Sequence, residues 1–323
     1  DEIMREGARS MSLDRYKQSM NRILVILFYL LISNSLHGGD GCLGSLRELS
    51  LSNQFIVVCE IDSFIELENK SNSKFLLDVS IKSTIKGHVK NSQIQIQVNK
   101  FTKEQIDFYA KATKFLIFFN QIEKLNSKIF LSDRCKIILL NNTNHAIVDR
   151  TTEVVSINQI QNQKSKINQL VNWSIQCLND KSTIYTGLSE LSYGGSLYKF
   201  NKDKNSYKRN LKFPLKRKQK KQLMSYFLNK ANFEWNDVSI IALFERGNKK
   251  AILNKMKEQI ELYDNLKYPW YRETNLMQEI ARISKNDDLQ IIVDQIDMMS
   301  FYSRKDEIKD LTIQFINKLN DSL

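Results

Sequence analysis

The sequence predicts an α+β protein in which a small antiparallel β-barrel is followed by an α-helical domain. Between residues 54 and 140, short runs of β-branched and aromatic residues alternate with polar ones, and this period of two is typical of strands. From residue 157 onwards, apolar residues recur at helical spacing. The chain is 42% hydrophobic, which excludes a disordered chain, and its 2 Pro and 10 Gly in 323 residues exclude collagen-like and Pro-rich scaffolds.

The first predicted element is an export signal. Arg22 precedes an apolar run over residues 23–32 that is closed by small polar residues, as in a secretory signal peptide. At about 1.5 Å per residue the run is roughly 15 Å long, about half of a bilayer's hydrocarbon core, so it is too short to span one. We expect residues 1–19 to be an overlong start and residues 20–39 to be the signal peptide. The mature protein is then expected to be secreted, or periplasmic in the cell envelope, without a stable membrane span.

The barrel domain is placed at residues 40–150, where consecutive strand signals are separated by polar loops. Gln93–Asn99 is the clearest of them, because apolar and Gln residues alternate along its whole length. A run of short strands with one helical turn predicts a small antiparallel barrel or sandwich. The predicted strands are Gln54–Phe64, Lys74–Ser83, Gln93–Asn99, Lys114–Asn120, Lys128–Leu131 and Lys136–Leu140, with the helical turn at Lys103–Lys111.

The four cysteines are widely spaced, so neither a structural zinc site nor a thioredoxin-type motif is indicated. Their even number permits disulfides in an exported chain, with three connectivities. Cys59 shares a strand face with Phe55, Val57 and Ile61, which predicts a small buried core residue.

The order of these features resembles the netrin-like, or tissue-inhibitor-like, OB-fold domains of exported proteins. The resemblance covers about residues 42–148 and rests on the strand ending at Glu60, on Ile85-Lys86-Gly87, on Lys114-Phe115-Leu116-Ile117-Phe118 and on Cys135. It implies a barrel and a disulfide between Cys42 and Cys135. The family's inhibitors need a second Cys that is separated from the first by one residue. Cys42-Leu43-Gly44 has Gly at that position, so the inhibitory mechanism is not carried over.

The second half begins with residues 151–215, predicted to be one amphipathic helix over Ile157–Leu178 and a turn-rich connector containing Gly187, with at most one hairpin. Residues 216–323 form the predicted helical domain. The helix lengths resemble those of HEAT-like helical hairpins. The first predicted helix starts near Lys216, and the second is capped by Asn236 or Asp237 and runs through Phe244. The others run over Lys249–Tyr263, Leu276–Ile283 and Leu289–Phe301, and the last is opened by Asp306.

The net charge of +12 is concentrated in one segment. Lys199–Lys221 holds 11 basic residues and one acidic residue, so it contributes +10. One interpretation is a polyanion-binding patch for glycan, lipid or nucleic acid, with interleaved aromatic residues. The other interpretation is a connector that those aromatic residues anchor, with its Lys and Arg side chains facing water. Export favours this second interpretation. The aromatics are Tyr198, Phe200, Tyr207 and Phe213, and the candidate polyanion-binding residues are Lys216, Arg217, Lys218, Lys220 and Lys221.

Three functional hypotheses remain from the sequence. The leading one is an exported, non-enzymatic protein that binds a protein or an envelope glycan. The second is a polyanion binder acting through the basic segment. The third is a hydrolase with two carboxylates, since such enzymes have no short sequence motif. No catalytic, cofactor or metal-binding motif occurs, and His88 and His145, which follow the signal, are predicted to be solvated loop residues.

Overall fold

A computed structural model gives the architecture of residues 45–68, 74–99, 114–120, 128–131, 136–140, 145–192, 197–201, 206–209, 215–233, 237–245, 248–265, 271–299 and 305–322. The chain divides into two compact units, and the second begins at Ala146. The first unit contains a sheet and the second is mainly helical, so the predicted α+β class is confirmed. The predicted signal at 20–39 and the helical turn at 103–111 lie outside the described residues.

The described part of the first unit starts with a short helix, α1 (Leu46–Ser52), capped by the Ser45 hydroxyl. Six strands follow and form one sheet in the order β5-β3-β2-β1-β4-β6. All neighbouring strands are antiparallel except β3 and β5, which are parallel. The strands are β1 (Phe55–Glu68), β2 (Lys74–Lys86), β3 (Gln93–Asn99), β4 (Lys114–Phe119), β5 (Lys128–Leu131) and β6 (Ile137–Leu140).

One face of the sheet forms the hydrophobic core of the first unit. The alternating apolar positions of β3 and β2 point into it, including Ile96 and Leu77, which are partners in the ladder. Cys59 is fully buried in the same cluster, as its position beside Val57 predicts. A register shift between Ile61 and Ser63 changes the face that β1 presents to the core. Phe64 therefore packs against the core although it is an odd number of residues from Ile61.

The described part of the sheet is open, because no pairing there joins β5 to β6. The predicted closure into a barrel therefore remains a prediction.

The described part of the second unit consists of helices and one β-hairpin. Its core is a single cluster of buried side chains in which the Phe227 ring contacts the rings of Phe233 and Phe244. The elements are α2 (Ala146–Asn158), α3 (Gln163–Cys177), α4 (Ile184–Leu191), β7 (Tyr198–Asn201), β8 (Ser206–Arg209), α5 (Arg217–Asn229), a 3₁₀ helix (Val238–Leu243), α6 (Lys249–Asn265), α7 (Tyr271–Ser284), α8 (Asp287–Asp297) and α9 (Lys305–Ser322).

The single helix predicted over Ile157–Leu178 is wrong. Helix α2 ends at Asn158, and a new helix starts after Asn162, whose side-chain oxygen accepts a hydrogen bond from the Ser165 N–H at 2.9 Å. The amide side chain thus satisfies a donor that would otherwise be unpaired at a helix start. Lys166 stabilises the preceding end, because its Nζ donates to the Asn158 carbonyl at 2.6 Å.

The predicted turn-rich connector is also wrong around Gly187, which lies inside helix α4. A Cβ atom at Gly187 would lie 2.6 Å from the Ser174 carbonyl oxygen and 3.0 Å from the Cys177 Cβ, so glycine permits the close approach of α4 to α3. The hairpin of the connector is present, and it consists of β7 and β8.

Candidate polyanion-binding surface

The five candidate cations of the sequence lie together at the start of helix α5, which begins at Arg217. We call Lys216, Arg217, Lys218, Lys220 and Lys221 the basic turn. Four of them are exposed and Lys220 is partly buried. Leu215, the residue before the basic turn, is buried in the core of the second unit and so anchors the basic turn to that core.

The conformation of the basic turn depends on Gln219, which sequence reasoning did not single out. The Gln219 side chain is only 4% exposed. Its Oε1 accepts a hydrogen bond from the Lys216 N–H at 2.8 Å, and its Nε2 donates to Asn172 Oδ1 at 2.8 Å and to Asn168 Oδ1 at 3.2 Å. Gln219 therefore caps α5 and attaches it to α3. The sequence signal for this cap is a Gln three residues after the N-cap position of the helix. The Ser or Thr that usually occupies the N-cap position is replaced here by Lys216.

None of the five cations of the basic turn forms an ion pair within the described residues. Other cations of the second unit do have acidic partners. Lys230 Nζ lies 2.6 Å from Asp237 Oδ2, and Lys318 Nζ lies 2.8 Å from Asp288 Oδ2. Among the described side chains, therefore, none neutralises the positive charge of the basic turn.

The electrostatics of the basic turn are unfavourable for the isolated protein. The N-terminal end of a helix carries a partial positive charge, and cations there cost a few tenths of a kcal/mol each. Like charges one helical turn apart, such as Arg217 and Lys221, cost about 0.2 to 0.5 kcal/mol per pair. A bound anion would interact favourably with the helix N-terminus and with the clustered cations, and would thereby offset both costs.

The remaining part of the basic segment includes the β7–β8 hairpin. Lys199 is paired in register with Lys208, so these two basic residues lie at opposed positions of the ladder, and Tyr198 is paired with Arg209. Leu197, which precedes the hairpin, belongs to the same buried core as Leu215. The aromatic residues Phe200 and Tyr207 are also register partners, and Phe213 lies outside the described residues.

The cysteines of the predicted disulfide, Cys42 and Cys135, lie outside the described residues. Cys59 and Cys177 are free and buried. Burial raises the pKa of both thiols to about 12, and nearby carboxylates such as Asp62 beside Cys59 act in the same direction. Neither thiol is therefore a nucleophile at neutral pH.

His88 and His145 are both exposed. Within the described ranges, no group of three or more His, Cys, Asp or Glu side chains is arranged to hold a metal ion. No helix in the described part of the chain is both long enough and apolar enough to cross a membrane. Comparison of the chain with protein-family models and with curated proteins found no match.

Proposed function

We propose that this chain is an exported binding protein that recognises a polyanion through the basic turn. The observation that carries the proposal is the set of five clustered cations, none of which has an ion-pair partner within the described residues. Clustered Lys and Arg side chains attract polyanions by releasing the counterions that surround them. The apolar run at residues 23–32 supports export, and thus favours an extracellular partner.

A salt titration of heparin binding tests this function. The first variant reverses all five cations of the basic turn to Glu. A matched control reverses five exposed lysines outside the basic turn, Lys90, Lys114, Lys181, Lys285 and Lys309, so both variants change the net charge by the same amount. We expect wild-type affinity to fall with salt, and the slope of log K against log salt to decrease by about one for each cation that contacts the ligand.

The control should keep the wild-type slope to within about one. Equal losses in the two variants would mean that net charge, and not the basic turn, governs binding. A wild-type chain without salt-sensitive binding to heparin would refute the polyanion function.

For the first unit we propose a closed OB-like barrel of the netrin-like type. The strand directions support it, because β5 is parallel to β3 and β6 is antiparallel to β4, so β5 and β6 run in the same direction. In a flat six-stranded sheet these edges would be about 24 Å apart, at about 4.8 Å per strand spacing. The six steps from Leu131 to Ile137 reach at most about 21 Å, at about 3.5 Å per residue. The sheet must therefore curve, which supports its closure into a barrel.

NMR of the chain tests the barrel and its implied disulfide separately. We expect contacts between the two edges of the sheet, and their absence would contradict closure into a barrel. Peptide mapping without reductant should recover Cys42 joined to Cys135. Recovery of Cys42 and Cys135 as free thiols would refute the disulfide that the netrin-like resemblance implies.

A further inference from the structure

Helices α3 and α5 contact one another through Gln219, and neither contains an acidic residue. Together they carry six basic residues, namely Lys164 and Lys166 in α3, and Arg217, Lys218, Lys220 and Lys221 in α5. By contrast, α8 carries four Asp residues and no cation. The positive surface is therefore not confined to the segment that the sequence identifies.

Lys164 is the residue of α3 that is placed to extend the basic turn. It is exposed and has no ion pair within the described residues, whereas the Nζ of Lys166 is engaged by the Asn158 carbonyl. Lys164 lies one helical turn before Asn168, so their Cβ atoms are about 6 Å apart on one face. Asn168 Oδ1 is in turn 3.2 Å from Gln219 Nε2, at the centre of the basic turn.

The exposed side chains of the two helices also restrict the class of ligand. All of them are Lys, Arg, Gln, Asn or Ser. None is an aromatic side chain on which a nucleobase could stack, and none is an apolar side chain that could enter a membrane. Cations interspersed with amide and hydroxyl groups instead suit a polymer that carries both anionic groups and hydroxyls.

We infer that α3 and α5 form one composite site for a sulfated or carboxylated polysaccharide, in which Lys164 binds the ligand and Gln219 is a positioning residue. Gln219 holds the basic turn in register with α3, so that one chain of the polysaccharide contacts cations of both helices. The inference rests on the proposed polyanion function and adds its ligand class, a sixth cation and a positioning residue.

Heparin binding by the full-length chain tests the role of Lys164. Lys164→Glu should weaken binding about fivefold or more and decrease the salt slope by about one, because it removes one ionic contact. Lys309→Glu, at an exposed position of helix α9, is the matched control and should change neither quantity by as much as twofold. If Lys164→Glu binds like this control while reversal of the basic turn abolishes binding, the composite site is wrong and the polyanion function stands.

A double-mutant cycle tests the role of Gln219. Gln219→Met leaves the charge unchanged, and it should weaken heparin binding more in the wild-type background than in the Lys164→Glu background, where only its effect on the basic turn remains. Additive losses would show that Gln219 does not act through Lys164. Tryptophan fluorescence of each variant during urea unfolding checks that the second unit is folded.

The ligand class is tested with two competing probes. Heparin should bind at least tenfold more tightly than single-stranded oligothymidine of similar total charge or vesicles that contain phosphatidylserine. Equal binding of the oligonucleotide or of the vesicles would overturn the polysaccharide assignment. Absence of binding to all three probes would instead refute the proposed function itself.

Discussion

Replacement of Gly87 by Ala should destabilise the first unit strongly. Gly87 follows β2 with a φ angle of +80°, in the left-handed region that glycine adopts without a steric penalty. A Cβ atom there would lie 2.5 Å from Phe55 Cδ1 and 2.9 Å from the Gln54 carbonyl oxygen. The substitution thus combines an unfavourable backbone conformation with a steric clash.

The size of the effect follows from these two terms. A left-handed conformation costs an Ala residue about 1 to 2 kcal/mol. Overpacking costs about 1 to 3 kcal/mol more, because the Phe55 ring is not free to move. It is stacked on the Phe119 ring with centroids 5.1 Å apart, and Phe119 is only 1% exposed. We expect a loss of about 2 to 5 kcal/mol, a large part of the about 5 to 15 kcal/mol that stabilises a typical domain.

The two units can be monitored separately in one urea titration. The three Trp residues, Trp173, Trp235 and Trp270, all belong to the second unit, so their fluorescence should be unchanged by Gly87→Ala. Hydrogen exchange of peptides from β1 and β2 should show the lost protection. His88→Ala, at the exposed neighbouring position, is the control and should stay within about 0.5 kcal/mol of wild type. A Gly87→Ala protein as stable as this control would refute the strain and clash argument.

Two further predictions concern the buried contacts of the second unit and the thiols. Gly187→Ala should lower the urea midpoint of the Trp signal by the equivalent of about 1 to 3 kcal/mol, since its Cβ would meet the Ser174 backbone; an unchanged midpoint would show that α4 shifts freely. Cys59 and Cys177 should resist maleimide at pH 8 and react once urea unfolds the chain, as mapped by mass spectrometry. Because their folded pKa is about 12 against an ordinary 9.0, their contribution to stability is present below pH 9 and is lost as pH rises from 9 towards 12. Rapid labelling at pH 8 without urea would contradict their burial.

The strands could be predicted from the sequence because burial on one face imposes a period of two that is visible residue by residue. Gln93–Asn99 alternates in the sequence, and its apolar residues are those that enter the core. The far end of β1 was harder to predict, because the register shift after Ile61 leaves Ile65 56% exposed. A register shift depends on the partner strand, which a local pattern does not contain.

The helical half shows a different limit. Gly187 marks a turn by composition, yet in the fold it serves the contact between α4 and α3, and composition does not distinguish these two uses of glycine. The five cations of the basic turn lie within six consecutive residues and were therefore predictable as a group. Lys164 was not, because only the packing of α3 against α5 relates it to that group. Gln219 lies within the group in sequence, but its contacts with α3 are not contained in a local pattern.

The Lys86-Gly87 pair, on which the resemblance to netrin-like domains partly rests, has a local structural explanation. Lys86 Nζ donates to the carbonyl oxygens of Ser50 and Asn53, both at 2.6 Å, and so satisfies acceptors at the end of helix α1. Gly87 permits the turn beside Phe55. Both residues thus attach α1 and β1 to the end of β2, a requirement of the fold. The Lys-Gly pair is therefore explained by the fold of the first unit, and evidence for activity has to come from surface residues such as those of the basic turn.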